Sequence, residues 1–228
     1  MIKALACDID GTITDEKRRL DLKAVDLLRK IEGMGVPVVL ATGNVLCVTR
    51  AASTYIGTTG PLIAENGGVI KLPMDKEPVY LCDTDKNELR EAAAHLRKTL
   101  PVRDASNPDL RKTEFAFHKD VSVGEVKEAL KGFRVRIVDT KFAIHITEPN
   151  VNKGRALEEV AKLMGLKLGE FAALGDSEND FEMLQKAGLG VSVGEERLKT
   201  AADFVTKESF AKGGVSALEY IIKKIKKH

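Results

Sequence analysis

Short runs of apolar, β-favouring residues recur along the chain, separated by stretches in which apolar positions fall three and four apart. Residues 2–7 form the first such run, and the spacing predicts a strand over 3–8. A helix follows, with Ala24, Val25, Leu28 and Ile31 on one face and Gly35 where a helix C-terminus calls for glycine. Buried strands are predicted over 36–41 and 61–65, and three more near the far end over 171–174, 189–193 and 204–206. Strands that are apolar throughout, alternating with amphipathic helices, indicate an α/β fold whose parallel sheet is covered on both faces.

The middle of the chain reads differently. It predicts a helix over 85–100, a strand over 114–118, a helix over 123–130 and two adjacent strands over 134–138 and 142–146. The short Asp139-Thr140-Lys141 link between those two strands predicts an antiparallel hairpin. A small α+β unit, residues 82–152, therefore interrupts a core made of residues 1–81 and 153–228. No internal repeat or low-complexity linker marks the junctions.

Composition narrows the partners. A chain of 228 residues buries enough surface to fold without staples, and its three cysteines (Cys7, Cys47 and Cys82) fit a reducing cytoplasm better than a disulfide framework. The net charge of +2 makes no case for nucleic acid, and the Lys-rich end (Lys223, Lys224, Lys226, Lys227) reads as the solvated face of a last helix. No segment has the length of a membrane span, and the amino terminus lacks a signal-peptide pattern. The expectation is a cytoplasmic protein with neither nucleic-acid nor membrane partners. Its oligomeric state stays open, a homodimer included. High Lys and Glu content hints at a heat-adapted source.

Four clusters of polar residues fall at strand ends or helix starts. Asp8-Ile9-Asp10-Gly11-Thr12 follows the first strand, and carboxylates two apart on extended backbone point the same way. In an open α/β sheet, ligands bind at that carboxyl end. Close carboxylates repel, and a divalent cation or a shared proton relieves the repulsion. Thr42-Gly43-Asn44 follows the second strand, where a hydroxyl and free backbone N–H groups can cradle a phosphate. Lys153 opens a helix in Asn152-Lys153-Gly154-Arg155 and offers a cation, although a surface lysine is the common outcome. In Gly175-Asp176-Ser177-Glu178-Asn179-Asp180, Asp176 and Asp180 can face one point, with helix capping as the plainer reading. Such hard oxygen ligands suit Mg²⁺.

The order Asp-x-Asp-Gly-Thr, Thr-Gly, Lys-Gly and Gly-Asp-x-x-Asn-Asp, from Asp8 through Asp180, resembles the haloacid dehalogenase-like phosphohydrolase superfamily. The insertion between the Thr-Gly turn and the Lys-Gly helix, with Ala64-Glu65-Asn66-Gly67-Gly68, is similar to the Cof-like branch with a type-two cap. Within that branch, the short cap and overall length look most like the archaeal phosphoglycolate phosphatases. The resemblance implies a Rossmann-like core and phosphate release from a small phosphorylated metabolite. It makes Asp8 the nucleophile and Asp10 the general acid and base. It implies Mg²⁺ held by the Asp8 carboxylate, the Asp10 backbone carbonyl and Asp176, with Asp180 as a ligand or just behind one. Thr42, Gly43 and Lys153 would hold phosphoryl oxygens, and Asn179 would orient the loop or touch the phosphate. One departure is Asn44, where the branch often carries Arg; it bears on substrate contacts rather than on phosphoryl chemistry.

Alternatives remain open from the sequence: a phosphosugar mutase or sugar-phosphate phosphatase of the same superfamily, or a phospho-accepting signalling receiver. Cys7 reads as a core residue, and Cys47 and Cys82 lack metal-ligand spacing. His95, His118 and His145 are scattered over the insertion and read as structural, His145 being the best exception because it lies near the return to the core. For a small acidic ester such as 2-phosphoglycolate, Arg111, Lys112 and His145 are the candidate contacts to its carboxylate. Asn150 is a candidate at the phosphate end.

Overall fold

A computed structural model describes residues 1–75, 77–82 and 87–226. The predicted start of the first inserted helix at Asp85, and Lys227, lie outside these residues. The core begins with β1 (Ala4–Cys7), α1 (Leu22–Gly33), β2 (Val38–Ala41), α2 (Leu46–Ile56), β3 (Leu62–Ala64), β4 (Val69–Lys71) and β5 (Val79–Tyr80). The middle segment supplies α3 (Asn87–Thr99), β6 (Glu114–Phe117), α4 (Val123–Ala129), β7 (Arg136–Asp139) and β8 (Ile144–Thr147). The chain then forms α5 (Lys153–Leu163), β9 (Phe171–Gly175), α6 (Phe181–Lys186), β10 (Leu189–Ser192), β11 (Phe204–Val205) and α7 (Phe210–Ile225).

Eight strands form one sheet in the order β11-β10-β9-β1-β2-β3-β4-β5. From β11 to β3 the neighbours run parallel, whereas β3–β4 and β4–β5 are antiparallel. β4 and the edge strand β5 are not predicted because runs of three and two residues carry no period. β2 starts two residues later than predicted: Pro37 has no N–H to give a ladder, although its carbonyl still accepts from Leu5 N at 3.1 Å.

Alternation along β1 builds both layers of the core. Leu5 and Cys7 pack with Leu28 and Ile31 of α1 and Leu218 and Ile221 of α7. Ala4 and Ala6 face the other way, toward Leu157 and Val160 of α5 and Met183 of α6. All four β1 residues are fully buried, and a side chain the size of Leu5 contributes about 1.5–3 kcal/mol by leaving water. That anchorage makes the carboxyl end of β1 a rigid place to mount chemistry.

The inserted unit is a separate three-stranded antiparallel sheet, β6-β8-β7. The predicted hairpin forms, with its turn one residue later than expected; Thr140 N donates to Ala143 O, and Ala143 N to Thr140 Oγ1, both at 3.0 Å. Period-two alternation sorts this sheet's faces. Phe117, Ile144 and Ile146 pack under α3 and α4 with Leu89, Leu96 and Val126. Glu114, Ala116 and His145 therefore occupy the opposite face, where Ala116 is the register partner of His145.

Core and insertion are strapped together at Glu65 and Asn66, both in left-handed backbone, with φ of 50° and 54°. The buried Glu65 carboxylate accepts from Lys112 N at 2.8 Å, Thr113 N at 2.7 Å and Thr113 Oγ1 at 2.8 Å. Burial and the nearby Glu114 charge push the Glu65 carboxyl up from its ordinary range, against the pull of these donors.

Candidate active site

The register of the parallel strands determines which residues meet. Cys7 pairs with Leu40 of β2 and with Leu174 of β9. The residues just past those positions, Asp8, Thr42 and Asp176, consequently emerge at one end of the sheet, the end at which α/β folds bind ligands. Asn152 caps α5 by accepting from Arg155 N at 2.8 Å, and this places Lys153 as the first residue of that helix.

Lys153 is wholly buried, and its Nζ donates to Asp8 Oδ1 and to Asp180 Oδ1, both at 2.7 Å. Thr12 Oγ1 lies 2.9 Å from Asp8 Oδ2 and 3.0 Å from Asp176 Oδ1. Asp180 Oδ2 accepts from Asp176 N at 3.0 Å and Ser177 N at 3.1 Å, so Asp180 also performs the local capping task. Asp8, Asp176 and Asp180 each bring a carboxylate oxygen within 4.8 Å of the others, the acidic cluster suited to a cation. Gly11 makes room for it: at φ +89° it turns the chain, and a Cβ there would sit 2.3 Å from Asp176 Oδ2.

Burial pushes the Asp8 carboxyl well up, and the Asp180 and Asp176 charges add to this, while the Lys153 ammonium pulls it back. Asp176 is raised by burial and by Asp180. Lys153 shows the reverse balance: burial would lower it, and the two carboxylates outweigh that and raise it. Burial and the Asp8 charge hold the Cys7 thiol well above its usual value. Cys7 is therefore a protonated core residue.

The Asp10 carboxylate stands apart from this trio, contrary to the expectation that both acids of Asp8-Ile9-Asp10 meet at one point. The strand ends at Cys7, so period two does not extend to Asp10. Its Oδ1 accepts from Arg18 Nε at 2.7 Å and its Oδ2 from Asn44 Nδ2 at 2.6 Å, with Thr42 Oγ1 at 3.4 Å. The Thr42 loop also departs from expectation. The N–H groups of Thr42 and Asn44 are taken by Ile63 O and Thr42 Oγ1, which leaves Gly43 N–H for a ligand.

A cavity of about 90 Å³ lies between core and insertion, lined by Asp8, Asp10, Thr42, Gly43 and Asn179 below and by Arg111, His118 and His145 above. Asn179 Nδ2 donates to Asn66 Oδ1 at 2.9 Å, and Asn66 Nδ2 to Glu114 Oε2 at 2.7 Å, a polar chain from floor to roof. Glu114 Oε1 accepts from Arg111 Nη1 and lies 3.0 Å from His145 Nδ1.

Several contributors were not anticipated. Thr12, the last residue of the first motif, joins Asp8 to Asp176 through its hydroxyl. Glu114 carried a signal, a lone acid on the inward face of the apolar strand Glu-Phe-Ala-Phe. Arg18 and Lys141 carried none. Arg18 stacks over the Phe142 ring at 5.2 Å, and Lys141 Nζ lies 2.5 Å from Asp176 Oδ2 and over the Phe210 ring at 4.6 Å. Of the other candidates, His95 packs on Phe133 at 5.4 Å, and Asn150 gives its carbonyl to Arg155 at 3.4 Å; neither lines the cavity. Lys112 lines a separate groove beside Leu110 and Tyr80.

Burial alone would raise Glu114, but His145, Arg111 and Asn66 together overcome it and hold the carboxyl below its ordinary value of 4.5. A depressed folded-state value means the unfolded chain takes the proton first as pH falls. Glu114 therefore contributes stability that is complete above pH 4.5 and is lost as pH falls through its folded-state value. The melting temperature of Glu114→Gln should fall less steeply than the wild type's below that pH; parallel profiles would contradict this.

The family model of haloacid dehalogenase-like hydrolases matches residues 5–104 and 110–218. A phosphoglycolate phosphatase of Methanothermobacter thermautotrophicus is 45% identical over 219 residues, covering 95% of this chain and 97% of its own. The Archaeoglobus fulgidus phosphoglycolate phosphatase is 42% identical over 221 residues, 96% of each chain. A Thermoplasma acidophilum crystal structure superposes with a TM-score of 0.87 at 24% identity, covering 99% of both chains. A haloacid dehalogenase-like hydrolase from Bacteroides thetaiotaomicron gives 0.78 at 20% identity, covering 97% of this chain and all of that one. No helix among the described residues is long and apolar enough to cross a membrane.

Proposed function

The chain belongs to the haloacid dehalogenase-like hydrolases and is a phosphoric monoester hydrolase, and from that premise we propose that it cleaves 2-phosphoglycolate to glycolate and phosphate. The proposal includes an aspartyl-phosphate on Asp8 and Mg²⁺ as cofactor. The observation that carries it is the Asp8 carboxylate, which lines the cavity between core and insertion while the buried Lys153 ammonium, 2.7 Å from both Asp8 and Asp180, holds it from behind. The names of the archaeal relatives support the substrate.

In this reading the Asp8 carboxylate attacks phosphorus, and the bond to the ester oxygen breaks. The Asp10 carboxyl gives its proton to the departing alkoxide. It then takes a proton from the water that attacks the acyl phosphate, and phosphate leaves with Asp8 restored. Arg18 and Asn44 fix the Asp10 carboxylate from opposite oxygens. Lys153, the Thr42 hydroxyl and Gly43 N–H offer donors to the phosphoryl oxygens without reorganising during the reaction. Asn179 links the floor to the roof through Asn66.

The acidic cluster fits a divalent cation. Asp8 and Asp176 are buried, mutually repelling carboxylates, and among the described residues Asp176 Oδ2 is met by the Lys141 ammonium alone. Asp8, Asp176 and the Asp10 carbonyl would hold Mg²⁺. Asp180, with one oxygen given to two N–H groups and the other to Lys153, acts mainly by holding Lys153 and the loop. Bound there, Mg²⁺ would supply charge neutralisation at the phosphoryl group. Phosphate release from 2-phosphoglycolate should fall to background in EDTA and return with Mg²⁺. A rate indifferent to chelation would refute the cofactor assignment. The receiver alternative does not survive membership of a hydrolase family, and no observation favours a mutase.

A further inference from the structure

Resting on the phosphoglycolate reading above, we propose that Arg111 and His145 form the subsite for the leaving group's carboxylate, with Glu114 as the residue that positions both. The Arg111 side chain is only 6% exposed and lines the cavity, yet its Nε has no hydrogen-bond partner. A buried guanidinium N–H without an acceptor is costly, and a ligand oxygen would relieve it. Among the described residues, Arg111 is the one cation lining this cavity with such an orphaned donor. Lys141 is committed to Asp176, and Arg18 to Asp10 and the Phe142 face.

Glu114 explains how the subsite is built. It is fully buried on the cavity side of β6, and His145 stands diagonally across from it on β8, two residues from Glu114's register partner Thr147. Its Oε1 meets Arg111 Nη1 and His145 Nδ1, while Oε2 is held by Asn66. The acid thus fixes one edge of each partner and leaves Arg111 Nε as a donor for an anion, with the His145 ring lining the cavity beside it. Arg111 Nη1 also donates to Gly43 O at 3.1 Å, beside Thr42 in the loop assigned to the phosphoryl group. The proposed carboxylate subsite is therefore in direct contact with the loop assigned to the phosphoryl group. The other charged groups facing this space are Asp8, Asp10, Arg18, His118 and Lys141.

The test compares 2-phosphoglycolate with ethyl phosphate, which has the same two-carbon leaving group without the carboxylate. The wild type should prefer 2-phosphoglycolate. In Arg111→Gln, kcat/KM for 2-phosphoglycolate should fall at least about thirtyfold, mostly through KM, as expected for a lost charge-assisted contact. The ratio between the two esters should collapse toward one, and Arg111→Lys should recover part of it. His145→Asn and Glu114→Gln should move the ratio in the same direction. Equal losses on both esters, or an undiminished ratio, would overturn the subsite while leaving the phosphatase reading intact. A wild type that releases no phosphate from 2-phosphoglycolate would instead overturn the substrate reading, and the subsite with it.

Discussion

Asp8→Asn should abolish phosphate release, by at least about 10⁴-fold in kcat, while the protein stays folded. Asparagine has the shape of aspartate, so Thr12 and Lys153 keep a neighbour of the same size. It has no carboxylate to attack phosphorus and cannot form the acyl phosphate. The substitution also removes one of three mutually repelling buried charges, and Lys153 retains Asp180 as its counter-ion. The melting temperature should therefore stay within about 3 °C of the wild type. Steady-state kinetics beside a thermal melt separate the two effects. An Asp8→Asn protein that retained a tenth of its rate would remove Asp8 from the nucleophile's role.

Lys153→Met should damage stability and catalysis together. Methionine fills much of the same volume but leaves Asp8 and Asp180 buried without their shared cation. Breaking a buried ion pair from one side costs about 3–5 kcal/mol. For a chain of this length that corresponds to a fall in melting temperature of roughly 6–20 °C, measured in EDTA so that no metal compensates. Loss of one preorganised donor to the phosphoryl group should lower kcat by about 10²–10³-fold. A melting temperature and rate close to wild type would show that Lys153 neither holds the acids nor contacts the substrate.

The chain's own pattern revealed the parallel core, the inserted antiparallel unit and the two helices that pack on it, because each rests on a local period. The cluster around Asp8 was legible for the same reason: consecutive parallel strands deliver their carboxyl ends to one edge, so Asp8, Thr42 and Asp176 had to approach one another. Lys153 was harder. A lysine at a helix start is ordinarily solvated, and only the carboxylates of two distant segments explain its complete burial. Asp10 misled because its extended-strand geometry stops one residue before Asp8. Arg18 and Lys141 act through contacts between core and insertion, which no local spacing encodes. Asn44 gains its sense only beside Arg18, whose Nη2 lies 3.3 Å from Asn44 Oδ1 while its Nε holds Asp10.

The most direct measurement is the initial rate of phosphate release from a panel of monoesters with Mg²⁺ present: 2-phosphoglycolate, ethyl phosphate, and hexose and pentose phosphates. The highest kcat/KM is expected for 2-phosphoglycolate, with ethyl phosphate and the sugar phosphates below it because they bring no carboxylate to Arg111. A preference for a sugar phosphate, or no release from any ester, would contradict it.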